Sequence, residues 1–260
     1  MTRQIQITTP TSLVSPRLCA VWGEGASVTA CLLSQILAGR GRTGLAALTS
    51  RYDGTPEPLL RALERLNCRS LVVALPETAC ALDRRADTAV LLSCGMGEAA
   101  ERLMRGCDRM VVNLDDPDGV PERDGPVPVW TISERRDEAD LTARNLRLLP
   151  YRTEFEAVSG TDICRLSVPL PEGLGLYPGL AAAAAALSFG VTLEESARRL
   201  HRAEPVPVGM IPLPRCSPFA AAGYFDADGG AGYNKKNMKG FPLGGSWHGG
   251  AVTDEGAGLG

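Results

Sequence analysis

Five short apolar runs punctuate the first half of the chain: "LCAVWG" from Leu18, "SLVVALP" from Ser70, "TAVLLSC" from Thr88, "MVVNLDD" from Met110 and "VPVWTIS" from Val127. Runs of four to eight Val- and Leu-rich residues, separated by amphipathic stretches, mark strands buried on both faces of a parallel sheet. One connecting helix is especially plain: Thr55 caps it, Pro56 fills its first turn, and "PEPLLRALERL" repeats leucine at helical spacing. The pattern predicts a layered α/β domain.

After Ser133 the rhythm changes. "TEFEAVSGTDICRLSVPL" reads as two strands joined by a Gly-Thr-Asp turn, a hairpin. "GLAAAAAALSFG" is a small-residue helix suited to close packing on a sheet, and "TLEESARRLHRA" opens with a capping box from Thr192 to Glu195. The last 40 residues hold 12 of the 29 glycines and show neither period, so they bury too little apolar area to offset their ordering entropy. The expected organisation is a lead-in over 1–15, a central domain over 16–209 and a glycine-rich tail over 210–260, with Ala221 onward mostly disordered.

With 260 residues, 44% hydrophobic and 22% charged, the chain is an ordinary globular sequence. A net charge of −3 supplies no basic field for a nucleic acid. "MTRQIQITTPTSLVSP" lacks the pattern of a signal peptide and no run of about 18 apolar residues follows, which leads us to expect a cytoplasmic protein with no membrane partner. The eight cysteines form no C-x-x-C pair and read as reduced core thiols. His201 reads as a solvated helix residue and His248 lies in the tail, so neither supports a Ser-His-Asp triad. The basic run "RNLRLLPYR" reads as a solvated strand face rather than a phosphate site.

Chemistry concentrates in "VWGEGASVTACLLSQIL", where a strand ends at Trp22, glycines occupy 23 and 25, and Leu32, Leu33, Ile36 and Leu37 mark a helix face. Backbone N–H groups at such a helix start attract anions. Triphosphate chemistry also needs a cation between the β- and γ-phosphates and a hydroxyl on magnesium. Here those places hold Ser27 and Val28, and Glu24 adds a negative charge beside them. A plain structural turn and a residual anion site are both open on these residues.

The frame "GEGASVT" resembles the G-T-N-G-K-T-T loop of the Mur ligases, the ATP-dependent amide ligases of peptidoglycan synthesis, and especially the branch that adds the third residue to UDP-N-acetylmuramoyl-dipeptide, the tripeptide synthetases. Gly23 and Thr29 match it, while Ser27 falls on the lysine and Val28 on the first threonine. "MVVNLDDPDG" resembles the family's N-x-D-D segment with Asn113, Asp115 and Asp116 in place, and "ADLTARNLRLLPYRTEFEAV" resembles its strand pair. "LPEGLGLYPGLAAAAAALSFGVTLEESARRL" resembles L-P-G-x-F-N-x-x-N-x-L-A-A and the following helix pair, with Gly175 and Pro178 replacing both asparagines. The resemblance runs from about Pro16 to Gly209. It implies a P-loop-like parallel-sheet central domain with a small hairpin subregion, ATP and magnesium as cofactors, and a nucleotide or UDP-linked ligand. The implied nucleotide contacts are Gly23, Gly25, Thr29, Asn113 and Asp116, with Glu77 in "ALPETACAL" as the metal carboxylate.

On the same residues, Asp115 and Asp116 read as a strand end and turn cap, since Asp-Pro-Asp-Gly is turn chemistry. The family's T-N-x-x-x-D-H segment, its carbamate-bearing lysine and its third domain have no counterpart in the sequence. We read the chain as a degenerate, non-catalytic relative that retains weak nucleotide or UDP-muramoyl binding in an accessory role, with an unknown protein partner. An active ADP-forming amide ligase and a frameshifted ligase product, out of frame from about Met210, are the alternatives. Limited proteolysis monitored by mass spectrometry is expected to trim the chain after about Ala220 and leave the α/β core whole; a protease-resistant tail would contradict its composition.

Overall fold

In a computed structural model, which describes residues 15–48, 55–75, 82–93, 98–116, 127–171 and 173–206, the apolar runs become one nine-stranded sheet. Its strands are β1 (Arg17–Trp22), β2 (Thr43–Ala47), β3 (Ser70–Leu75), β4 (Thr88–Leu91), β5 (Met110–Asn113), β6 (Val129–Ser133), β7 (Leu141–Leu149), β8 (Arg152–Ser159) and β9 (Asp162–Val168). The helices are α1 (Ala26–Leu37), α2 (Glu57–Glu64), α3 (Glu98–Arg105), α4 (Leu176–Ser188) and α5 (Leu193–His201). All described residues fall within one compact unit, Met1–Gly229. The lead-in before Ser15, the boundary at 209/210 and the glycine-rich tail lie outside the described residues, as does His248.

The order across the sheet is β2-β3-β1-β4-β5-β6-β7-β8-β9, with every neighbour from β2 through β7 parallel. All five expected strands are present, and β2 is a sixth that the apolar pattern did not mark. "TGLAA" carries one large side chain, because a Cβ on Gly44 would meet Leu71 at 2.9 Å and Leu63 of α2 at 3.2 Å. Close approach of α2 removed the bulk by which a buried strand is usually recognised.

Beyond β6 the sheet continues as a three-stranded antiparallel meander, so the predicted hairpin extends the main sheet. Only Ile132↔Leu141 and Ser133↔Thr142 pair β6 with β7. Because β7 starts where β6 ends, seven residues suffice to join parallel neighbours, a connection that ordinarily takes a long crossover. Asp140 closes that short link: its Oδ2 accepts from Thr131 N (2.8 Å) and Thr131 Oγ1 (2.7 Å), while Asp140 N donates back to Thr131 Oγ1 (3.0 Å). The rest of β7, Arg144–Leu149, is exposed, as expected of "RNLRLLPYR". Gly160 (φ 57°) and Thr161 turn β8 into β9, with Ser159 paired to Asp162.

Helices α1, α4 and α5 pack on one face of the sheet, and α2 and α3 on the other. The predicted face of α1 is buried, and so are Ala26, Val28, Thr29, Ala30 and Cys31, because the helix is wedged between the sheet and α4. Ala181 through Ala186 are all within 1% of complete burial, which lets α4 lie close to its neighbours. Among the described cysteines, Cys19, Cys31, Cys68 and Cys107 are buried and Cys164 half-buried, all as free thiols. Burial pushes the Cys19 thiol well above its ordinary pKa and that of Cys107 up to about 11, which keeps both protonated and inert.

Two caps differ from expectation. The helix after Thr55 begins at Glu57 with Pro56 as its N-cap and no side-chain cap. At α5, Thr192 Oγ1 accepts from Glu195 N (3.1 Å) as the capping box requires, but Glu195 turns outward to Arg40 (2.8 Å).

A Cβ at Gly179 would lie 2.5 Å from Cγ2 of Val168 and 3.5 Å from Phe155. Val168 is β-branched and buried, so it cannot swing aside. Gly179→Ala gains about 1 kcal/mol of helix propensity and loses about 1–3 kcal/mol to overpacking. Thermal unfolding is expected to show a lower Tm; a rise would mean that α4 is less tightly seated.

Candidate functional site at the carboxyl edge of the sheet

The chain runs from β1 through β2 and β3 on one side, then crosses over β1 to continue at β4 on the other. The carboxyl ends of β1 and β4 therefore diverge into helices on opposite sides, the position at which open α/β sheets form a ligand crevice. Gly23–Ala26 occupies the end of β1 at this switch point, and Leu92 and Ser93 occupy the end of β4.

Both loop glycines are needed. Gly23 has φ 103°, and a Cβ there would meet the Ser93 backbone N at 2.7 Å, so β4 permits no side chain. Gly25 is in the left-handed region (φ 81°) as the N-cap of α1, where it offers no side-chain cap. Ala26 N donates to Gly23 O (3.1 Å) and Thr29 N to Gly25 O (2.9 Å), while Glu24 N reaches Ser93 Oγ at 3.4 Å. Among the described residues, the N–H groups of Ser27 and Val28 find no acceptor. The positive end of α1 thus remains uncapped at the crevice.

The structure brings most of the implied contacts to this edge. Thr29 is fully buried one turn into α1, and its Oγ1 has no partner among the described residues. Asn113 ties the strand ends together: its Nδ2 donates to Leu92 O (3.3 Å) and its Oδ1 accepts from Asp115 N (3.1 Å). Asp116 is half-buried in the turn after β5. Glu77 lies outside the described residues.

Asp115 serves as a hub joining β5, β6 and α4. Its Oδ1 accepts from Ser133 Oγ (2.6 Å), and its Oδ2 accepts from Glu134 N (2.7 Å) and the Tyr177 hydroxyl (3.0 Å). Burial pushes the Asp115 carboxyl up, but these donors outweigh it and hold the group below the ordinary aspartate range. Burial and the adjacent Asp115 charge push the Tyr177 phenol well up, so it stays a donor. The neighbouring Pro178 comes within 3.5 Å of where a Cβ on Gly25 would stand, bringing the first turn of α4 against the loop. The bond from Tyr177 to Asp115 was not legible in the sequence, since it joins a helix to a strand end 62 residues away.

Several comparisons meet on this architecture. No family model matches the chain. The UDP-N-acetylmuramoyl-tripeptide–D-alanyl-D-alanine ligase of Escherichia coli (strain K12) is 30% identical over 105 residues, which is 40% of this chain and 23% of that protein. The UDP-N-acetylmuramoylalanyl-D-glutamyl-2,6-diaminopimelate–D-alanyl-D-alanyl ligase of Acinetobacter baumannii superimposes with a TM-score of 0.61 at 18% identity, over 75% of this chain and 47% of that one. The fold is that of the Mur ligases. A pseudomurein peptide ligase type C from Methanothermus fervidus shares it with a TM-score of 0.53 at 14% identity, over 76% of this chain and 51% of that one. The chain spans about a quarter of the curated relative and about half of these solved structures. Among the described residues, no helix is long and apolar enough to cross a membrane.

The Mur-like site fits one part of Mg-ATP better than the other. Uncapped amides at α1 and the orphaned Thr29 hydroxyl suit an anion. Magnesium finds less: Val28 is 1% exposed inside the core and has no ligand atom, and no group of three His, Cys, Asp or Glu among the described residues could hold an ion. Among the described residues the start of α1 fits a bound anion, and at Val28 it offers magnesium no ligand atom.

The Asp115 hub sets a pH dependence. A carboxylate whose folded pKa is depressed contributes stability above its unfolded pKa, near 4, and loses it as pH falls through the folded value. Asp115→Asn is expected to be about 1–3 kcal/mol less stable at neutral pH, with the gap to wild type narrowing below about pH 4. Denaturant titrations at pH 7 and pH 3 check this; a constant gap would remove the charge from the account.

Proposed function

We propose that this chain is a Mur ligase-like module that has kept the fold and an anion-binding helix start while losing the means of ATP-driven ligation, and that it acts as an accessory protein binding a nucleotide or UDP-linked ligand weakly. The observation that carries the reading is Val28. At the place where the resemblance expects a magnesium hydroxyl stands a core side chain packed among α1, α4 and the sheet. The preceding Ser27 is half-buried and neutral, where a phosphate-pairing lysine is expected.

Magnitude decides how much remains. A missing charge-assisted contact removes about 1.5–3 kcal/mol of binding, and a missing transition-state donor about 10²–10³ in rate. Helix-start amides alone retain roughly 0.3–1 kcal/mol of attraction per charge at an exposed site. The balance supports weak nucleotide contact through Gly23, Gly25 and Thr29, with Asn113 and Asp116 shaping the crevice wall. The names of the similar proteins point to UDP-muramoyl peptides as the ligand class to test first.

Calorimetry with Mg-ATP is expected to give a Kd weaker than about 10 μM, near −7 kcal/mol. Ser27→Lys with Val28→Thr returns a cation to the phosphates and a hydroxyl to the metal, and is expected to tighten binding about tenfold. ADP release by wild-type protein supplied with ATP and a UDP-muramoyl peptide would overturn the reading in favour of an active amide ligase. No gain by the double variant would mean that Gly23–Thr29 is only a turn.

A further inference from the structure

The opposite end of α1 borders a second feature that the Mur-like crevice does not explain. A groove of about 390 Å³ lies between the last turn of α1 and the end of α5, lined by Gln35, Arg198, Arg199, Arg202 and Ala203. Among the described residues, three of the five that line it are arginines and no carboxylate lines it directly, although Glu195 pairs with Arg199 from the side, in a chain whose net charge is −3.

Its floor is built. Gln35 Oε1 accepts from Glu204 N (2.7 Å) and its Nε2 donates to Glu204 O (3.2 Å), which pins the segment after α5 to α1. The Arg199 guanidinium lies over Gly39, where a Cβ would stand 2.0 Å from Cζ. Arginines near a helix end commonly serve its free carbonyls. Here that task falls to Arg152, whose Nη2 donates to Leu200 O (3.2 Å) and His201 O (3.1 Å). At the end of α1, Arg69 supplies Arg40 O (3.1 Å). Arg199 is held in an ion pair with Glu195 at 3.7 Å. Arg198 and Arg202 are exposed and form no ion pair or side-chain hydrogen bond among the described residues.

We propose that this groove binds a compact oligophosphate through Arg198 and Arg202. Arg198 stands in the last turn of α5 and Arg202 is the residue that caps its end, roughly 6 Å further on, a separation that neighbouring phosphate groups can bridge. Guanidinium forks grip phosphate oxygens bidentately, and the small, concave shape favours a short polyanion over a nucleic-acid backbone. The site is separate from the switch-point loop, because α1 is 12 residues long and holds the two ends about 18 Å apart.

The test titrates inorganic triphosphate, without magnesium, into full-length wild type, Arg198→Ser/Arg202→Ser and Ser27→Glu. The arginine variant changes only exposed side chains, while Ser27→Glu places a carboxylate at the start of α1. We expect wild type to bind, the arginine variant to weaken binding at least about tenfold, and Ser27→Glu to stay within about twofold of wild type. NMR of wild type should show triphosphate shifting the Ala203 amide and the Gln35 side-chain amide. Absence of binding, an unaffected arginine variant, or shifts confined to Gly25–Val28 would overturn the proposal. Poly-glutamate binding as tightly as triphosphate would also overturn it, in favour of an acidic peptide.

Discussion

Burial of α1 on nearly every side is the constraint from which the rest follows. A helix buried in this way has room for few polar groups, here chiefly Thr29 and Ser34, whose hydroxyl donates back to Cys31 O (2.7 Å), so its apolar and small residues are dictated by the sheet below and by α4 and α5 above. Only the ends of α1 are free to do chemistry. The beginning is shaped by Gly23 against Ser93 and by Pro178 against Gly25, and the last turn by Gln35 and Arg199. Val28 shows how the constraint reaches the site: the residue belongs to the core first, and the loop inherits its lack of a ligand atom.

The same packing explains why α4 is so rich in alanine. A second helix must lie over both α1 and the strands from β4 to β9, and only small residues bring its backbone close enough. Gly175 also fits this demand, since a Cβ there would meet Val168 at 2.9 Å. Where the resemblance expects an asparagine at Gly175, the present chain has turned a polar position into a packing position. Pro178, the other replacement, sits against the loop. Relative to the pattern the chain resembles, both positions offer packing contact in place of hydrogen-bonding capacity.

Strands that are long, apolar and uninterrupted were legible in the sequence, because full burial leaves a continuous Val and Leu run. β2 was not, since Gly44 answers to α2 across the sheet and local pattern cannot show a distant neighbour. In the candidate site, Gly23 and Gly25 were legible from the turn they make. The roles of Ser93, Ser133 and Tyr177 were not: Ser93 meets Gly23 because the crossover sets β4 beside β1, while Ser133 and Tyr177 reach Asp115 from β6 and from α4. Asp115 read correctly as a residue ending its strand, yet its three donors come from β6, from the residue after β6 and from α4. Sequence spacing carries local geometry well and tertiary adjacency poorly.

The two-pair overlap of β6 and β7 has a mechanical meaning. A ladder transmits force in proportion to the bonds that cross it, and here the parallel and antiparallel halves of the sheet share a seam only two residues long. Continuity across the seam comes from elsewhere: Asp140 latches onto Thr131, and α4 lies over the strands on either side like a splint. The meander is thus attached by a helix and one carboxylate, and because α4 packs on Val168 of β9 and also seats Pro178 against the Gly25 loop, any shift of the meander would be carried by that helix to the crevice beside β1 and β4.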